Sequence, residues 1–121
     1  MNYFSRSCGG EEIPIGGLRV EPAIIQDVYR TRDGNGYFTF RFHAVNNRYE
    51  IDIVSIPGGD YSQYGRSGEL HLTHRHHSSR GGHRICIGDD SFITDLDTAR
   101  KWAGLWAEET WKYLTRGELF G

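Results

Sequence analysis

"YFTFRFHAVNNRYEIDIVSI", residues 37–56, decides the fold. Phe38, Phe40, Phe42 and Ala44 alternate with Tyr37, Thr39, Arg41 and His43. A period of two with one apolar side predicts a half-buried strand. Asn46-Asn47 then interrupts the pattern, and asparagine tolerates the left-handed backbone that a tight hairpin needs. After the turn, Tyr49, Ile51 and Ile53 alternate with Glu50 and Asp52, predicting a second strand antiparallel to the first.

Working outward toward the N-terminus, residues 19–32 are rich in Val, Ile and Tyr, with Pro22 marking a bend or an edge near the start. The turn sequence "RDGNG", residues 32–36, separates this run from Tyr37 and offers two glycines for positive φ. Three strands in a row with short turns predict an antiparallel meander. Toward the C-terminus, Pro57-Gly58-Gly59 ends the third strand and a polar loop follows. "ELHLT", residues 69–73, is expected to be a short strand with Leu70 and Leu72 on one face, and "RICIG", residues 84–88, is another short apolar run.

The last segment is helical. Thr94 and Asp97 fit a capping box, and Ala99, Trp102, Trp106, Thr110 and Tyr113 recur at spacings of three and four, widened by Ala103 and Leu114. Arg116 suits the negative end of the helix dipole, and Gly117 suits the position just beyond it. The three tryptophans of the helix, Trp102, Trp106 and Trp111, read as core packing. The expected fold class is therefore α+β, a two-layer sandwich of an antiparallel β-meander packed against a C-terminal helix.

With 121 residues the chain is sized for one domain, and 37% hydrophobic and 13% aromatic residues suffice for a packed core. A net charge of −2 argues against a general nucleic-acid coater, so nucleic acid is an unlikely partner. No apolar run approaches the roughly 18 residues of a membrane span. The start, "MNYFSRSCGG", lacks the layout of a secretory signal, so a cytoplasmic location without membrane association is expected. Residues 1–17 read as a glycine-rich arm and 18–121 as the single domain. Two cysteines, Cys8 and Cys86, are too few for a disulfide scaffold, and a reducing compartment is expected to keep both as thiols.

The chemistry concentrates in "HLTHRHHSSRGGHRICIGD", residues 71–89, which holds five of the six histidines. Cys86, between Ile85 and Ile87, is either a buried small hydrophobe or a nucleophile whose thiolate is favoured by Arg80, Arg84 and His83. Asp89 and Asp90 oppose that effect. His71, His74, His76, His77 and His83 with Cys86 are ligand types that zinc prefers, but their spacings match no closed pattern, and a solvated loop is the plainer reading. Residues 66–84 also carry Arg66, Arg75, Arg80 and Arg84 against the single acid Glu69, a locally basic patch suited to phosphate or an acidic partner.

The order "YEIDIVSIPGGDYS", "ELHLTHRHH", "GGHRICIGDD" and a helix resembles the ubiquitin-conjugating enzyme (UBC) family, above all its compact bacterial members, over about residues 36–117. His76 stands ten residues before Cys86, the spacing of the family histidine. His77 and Ser78 replace the family Pro and Asn, the glycine is displaced to Gly82, and residues 1–17 contain no counterpart of the family's N-terminal helix. The resemblance implies a UBC-like sandwich lacking that helix. It also implies a carrier and transferase of a ubiquitin-like protein, linked as a thioester at Cys86 and received from an activating enzyme, in a bacterial conjugation or antiviral defence pathway. His76, His77, His83 and Asp89 are the expected catalytic helpers, and Arg80 and Arg84 the expected guides for the modifier's tail. No cofactor or metal is implied. The alternatives are a UBC-fold binding module without catalysis and, more remotely, a His/Cys metal-binding domain.

Overall fold

A computed structural model describes residues 24–120. The arm expected at residues 1–17 lies outside the described residues. The fold is α+β: a five-stranded antiparallel sheet with a single C-terminal helix against one face. The strands are β1 (Ile24–Arg30), β2 (Tyr37–Val45), β3 (Arg48–Ser55), β4 (Arg75–His77) and β5 (His83–Ile85), and the helix is α1 (Leu96–Arg116). Their order in the sheet is β1-β2-β3-β5-β4, so the meander expected from residues 37–56 forms its first three strands.

The β2–β3 register opposes Phe42 with Ile51, Phe40 with Ile53 and Arg41 with Asp52. Asn46 and Asn47 both take positive φ, 49° and 65°, which lets the hairpin close in two residues. In the β1–β2 turn only Gly34 takes positive φ. Gly36 is needed for space instead: a Cβ there would lie 3.0 Å from the Trp111 ring. Residues 69–73, expected as a strand, form a turn instead. Thr73 N–H and Oγ1 both bond back to the Glu69 carbonyl, at 3.0 and 2.9 Å, and Arg75 N–H reaches Leu70 O. Pairing resumes only at Arg75.

Phe38, Phe40 and Phe42 point to the helix and are buried, and the fully buried Trp106 meets Phe38 and Phe40 edge-on at 5.9 and 6.0 Å. Such edge-to-face contacts add to the area burial of the rings. The apolar stripe lies where its spacing placed it, with Ala99, Ala103, Trp106, Thr110, Tyr113 and Leu114 buried. Gly104 and Ala107 join it, and Trp102 is only partly buried. The N-cap is Asp95, not the expected Thr94: its carboxylate accepts from Thr98 N–H at 2.8 Å. Gly117 caps the other end at φ 75°.

Three contacts tie α1 to the long loop after β3. Trp106 Nε1–H donates to Thr73 O at 3.1 Å, Tyr113 Oη–H to Ser67 O at 2.7 Å, and Arg66 Nε–H to Leu114 O at 3.2 Å. The helix thereby sets where the β4–β5 hairpin begins. No helix of the described residues is long and apolar enough to cross a membrane.

Candidate functional site

The residues singled out by sequence converge on the β4–β5 hairpin, whose turn is closed by Ser78 N–H to Gly82 O and Gly81 N–H to Ser78 O. Its register opposes Arg75 with Ile85, His76 with Arg84 and His77 with His83. Because side chains alternate along a strand, Arg75, His77, His83 and Ile85 share one face, and His76 and Arg84 the other.

Cys86 follows β5 directly. Its N–H donates to His74 O at 2.9 Å, its exposure is 0%, and its sulfur is in a disulfide. No free cysteine is present among the described residues. The expectations of a free thiol and of an accessible thiolate at Cys86 are therefore not met here. A disulfide-bonded sulfur is not a thiolate, and a sulfur without solvent exposure cannot meet a large acylated partner. The chain's other cysteine, Cys8, lies outside the described residues.

Asp89 is exposed, and its Oδ1 accepts from Ser91 N–H and Oγ–H at 3.1 and 2.8 Å. Those hydrogen bonds hold its carboxyl below the usual carboxylate range. It serves as the cap of a local turn.

Arg80 and Arg84 are also committed elsewhere. On the sheet face away from the helix, Glu50 accepts from Arg48 at 2.9 Å and Arg80 at 2.8 Å, with Arg84 Nη1 at 3.3 Å. Asp52 takes Arg80 Nε–H at 2.8 Å, Ser78 Oγ–H at 3.0 Å and close contact with His43 Nε2 at 3.1 Å, the last without hydrogen-bond alignment. Asp90 lies 3.4 Å from Arg48 and 3.7 Å from Arg84. Glu50 and Asp52 are 7% and 8% exposed, so this is a buried ionic cluster. Burial alone would raise the Glu50 carboxyl, but Arg84, Arg80 and Arg48 together bring it below its ordinary value. The two arginines expected to guide a modifier's tail are instead neutralised by carboxylates some thirty residues earlier in the chain.

The sequence signal for this cluster was only an alternating polar side on β3, which reads as a solvated face. Nothing local marks Glu50, Asp52 or His43 as buried. The cross-strand pairs His43–Glu50 and Asp52–Arg84 bring the charges together, and strand register is a tertiary fact.

The remaining imidazoles disperse. His71 is exposed on the turn, and His74, at φ 53°, stacks on Phe120 at 4.8 Å. His76 faces the ionic side, while His77 and His83 lie 5.1 Å apart on the other. Among the described residues no three His, Cys, Asp or Glu side chains are grouped to hold a metal ion. A groove of about 240 Å³ beside the β2–β3 turn is lined by Ala44, Asn46, Asn47, Arg48, Tyr49 and Thr94, none of them a residue the sequence had singled out for catalysis. No family model, curated protein or solved structure matches this chain.

Proposed function

We propose that the chain is a binding module built on a UBC-like frame, without thioester chemistry of its own. The observation that carries this is Cys86, which is fully buried and disulfide-bonded. Two further features support it. Arg80 and Arg84 have their charge spent on Glu50, Asp52 and Asp90, and Asp89 caps a turn. The module's partner is then a protein of a ubiquitin-like conjugation pathway, held without a covalent bond. Burial shields the Cys86 sulfur itself from direct attack by other thiols.

The competing reading, a thioester carrier, rests on the order of the cysteine box and on His76 ten residues before Cys86. It requires that reduction release and expose that sulfur. One experiment separates the two. The native protein is treated with a maleimide before and after mild reduction, and labelling is mapped by mass spectrometry, with folding followed by circular dichroism. The module predicts no Cys86 labelling in either folded sample. Rapid labelling of Cys86 in the reduced, folded protein overturns it. A thiol-cleavable adduct formed with an activating enzyme, ATP and a ubiquitin-like protein, and lost in Cys86→Ala, overturns it as well.

A further inference from the structure

The locally basic segment at residues 66–84 separates into two populations in the fold. On one face of the hairpin, Arg80 and Arg84 meet carboxylates. Arg66 is turned to the carbonyl end of α1. On the other face stand Arg75, His77 and His83, and among the described residues none of these three is in contact with a carboxylate.

Arg75 is held by neutral groups. Its Nε–H donates to Thr73 Oγ1 at 2.8 Å, its Nη2–H to Gly68 O at 2.6 Å and its Nη1–H to His83 Nδ1 at 3.0 Å. Its guanidinium lies over the Tyr61 ring, 4.6 Å from the centroid. The field of Asp60 reaches it, but the two form no ion pair, and Asp60 spends an oxygen on Ser62 N–H. A half-buried cation without a counter-charge is a costly arrangement unless an anion completes it.

The arrangement also fixes a donor. A guanidinium can only donate, so His83 Nδ1 is the acceptor and the proton of the neutral ring is on Nε2. His83 Nε2–H is thus presented on the side of the ring away from Arg75. The His77 ring lies 5.1 Å from it at a tilt of 43°, and His77 is exposed. Burial, then Arg75, then His77 push the His83 imidazolium below its ordinary pKa, in keeping with the neutral tautomer.

We infer that Arg75, His77 and His83 form an oxyanion site for a phosphate-class dianion. His83 Nε2–H and a ring N–H of His77 donate to the anion's oxygens, and Arg75 supplies the positive field behind them. One fixed cation without a carboxylate partner, with two ring N–H donors on the same face, suits the several charged oxygens of a phosphate-class dianion better than a monocarboxylate. The inference stands apart from the binding-module reading, since it does not involve Cys86.

The test uses the full chain and inorganic phosphate as probe, with the histidine ring signals followed by NMR at constant ionic strength. Phosphate is expected to shift the His77 and His83 ring signals saturably, with acetate far weaker and the exposed His71 unmoved. His77→Gln lies at an exposed position and leaves the fold intact, and it is expected to weaken phosphate binding about tenfold, the loss of one charge-assisted hydrogen bond. His83→Gln, checked for unchanged melting at neutral pH, should do the same. Shifts at His77 and His83 no larger than at His71 overturn the proposal. Acetate binding equal to phosphate, or unchanged affinity in His77→Gln, also overturns it.

Discussion

Glu50 receives three arginines on a strand whose sequence reads as half polar. A buried carboxylate of this kind is stable only while its partners remain, and the partners only while it remains. Glu50→Gln keeps the shape and removes the charge, leaving Arg48 and Arg84 in a poorly solvated site. It is expected to cost about 3–5 kcal/mol in urea unfolding, the scale for breaking a buried pair from one side. Trp106 is a second residue with two roles, since its ring fills the space beneath Phe38 and Phe40 and its N–H satisfies Thr73 O. Trp106→Phe retains much of the packing but strands the Thr73 carbonyl. A loss of about 1–3 kcal/mol is expected. Faster amide exchange at Cys86 N–H should accompany it, because that group bonds to His74, the next residue along.

At the scale of elements, α1 was legible because its stripe, Ala99 to Leu114, repeats over about four turns, and a mis-set cap does not alter such a pattern. The cap itself was misread by one residue. Thr94 and Asp97 satisfy the spacing of a capping box, but Asp95 offers a carboxylate that reaches Thr98 N–H and also favours the positive end of the helix dipole. Asp95→Ala is expected to lower stability by about 1 kcal/mol. Thr94→Ala should change it by less than about 0.5 kcal/mol, and thermal melts of the two variants check the assignment. The strand expected at residues 69–73 failed for a related reason. Thr73 bonds back along its own chain and Trp106 fixes its carbonyl, so local and tertiary bonds together outcompete a ladder.

For the whole molecule, the linked charges predict acid sensitivity in two stages. His43 and His83 both titrate below the ordinary value of 6.5, each chiefly through burial and next through a neighbouring arginine, Arg80 and Arg75 respectively. A base with a depressed folded pKa binds fewer protons in the native state. Its contribution is therefore complete above 6.5 and is lost as pH falls through the lower folded value. Glu50, also depressed, contributes fully above 4.5 and loses that contribution as pH falls through its own folded value. Melting temperature is expected to decline gently below neutrality and steeply in the second window. His83→Gln should flatten the first stage, and a melt series from neutral to acid pH with and without that change measures it.

The sequence by itself determined the α+β class, the order of the meander strands, the two-asparagine turn and the buried stripe of the helix. These follow from periodicity and turn chemistry, which act over a few residues. Only the tertiary structure decided the state of Cys86, the burial of Glu50 and Asp52, and the neutralisation of Arg80 and Arg84. Charges about thirty residues apart meet through strand register, and a side chain's exposure depends on what the rest of the chain lays over it. A motif records neither.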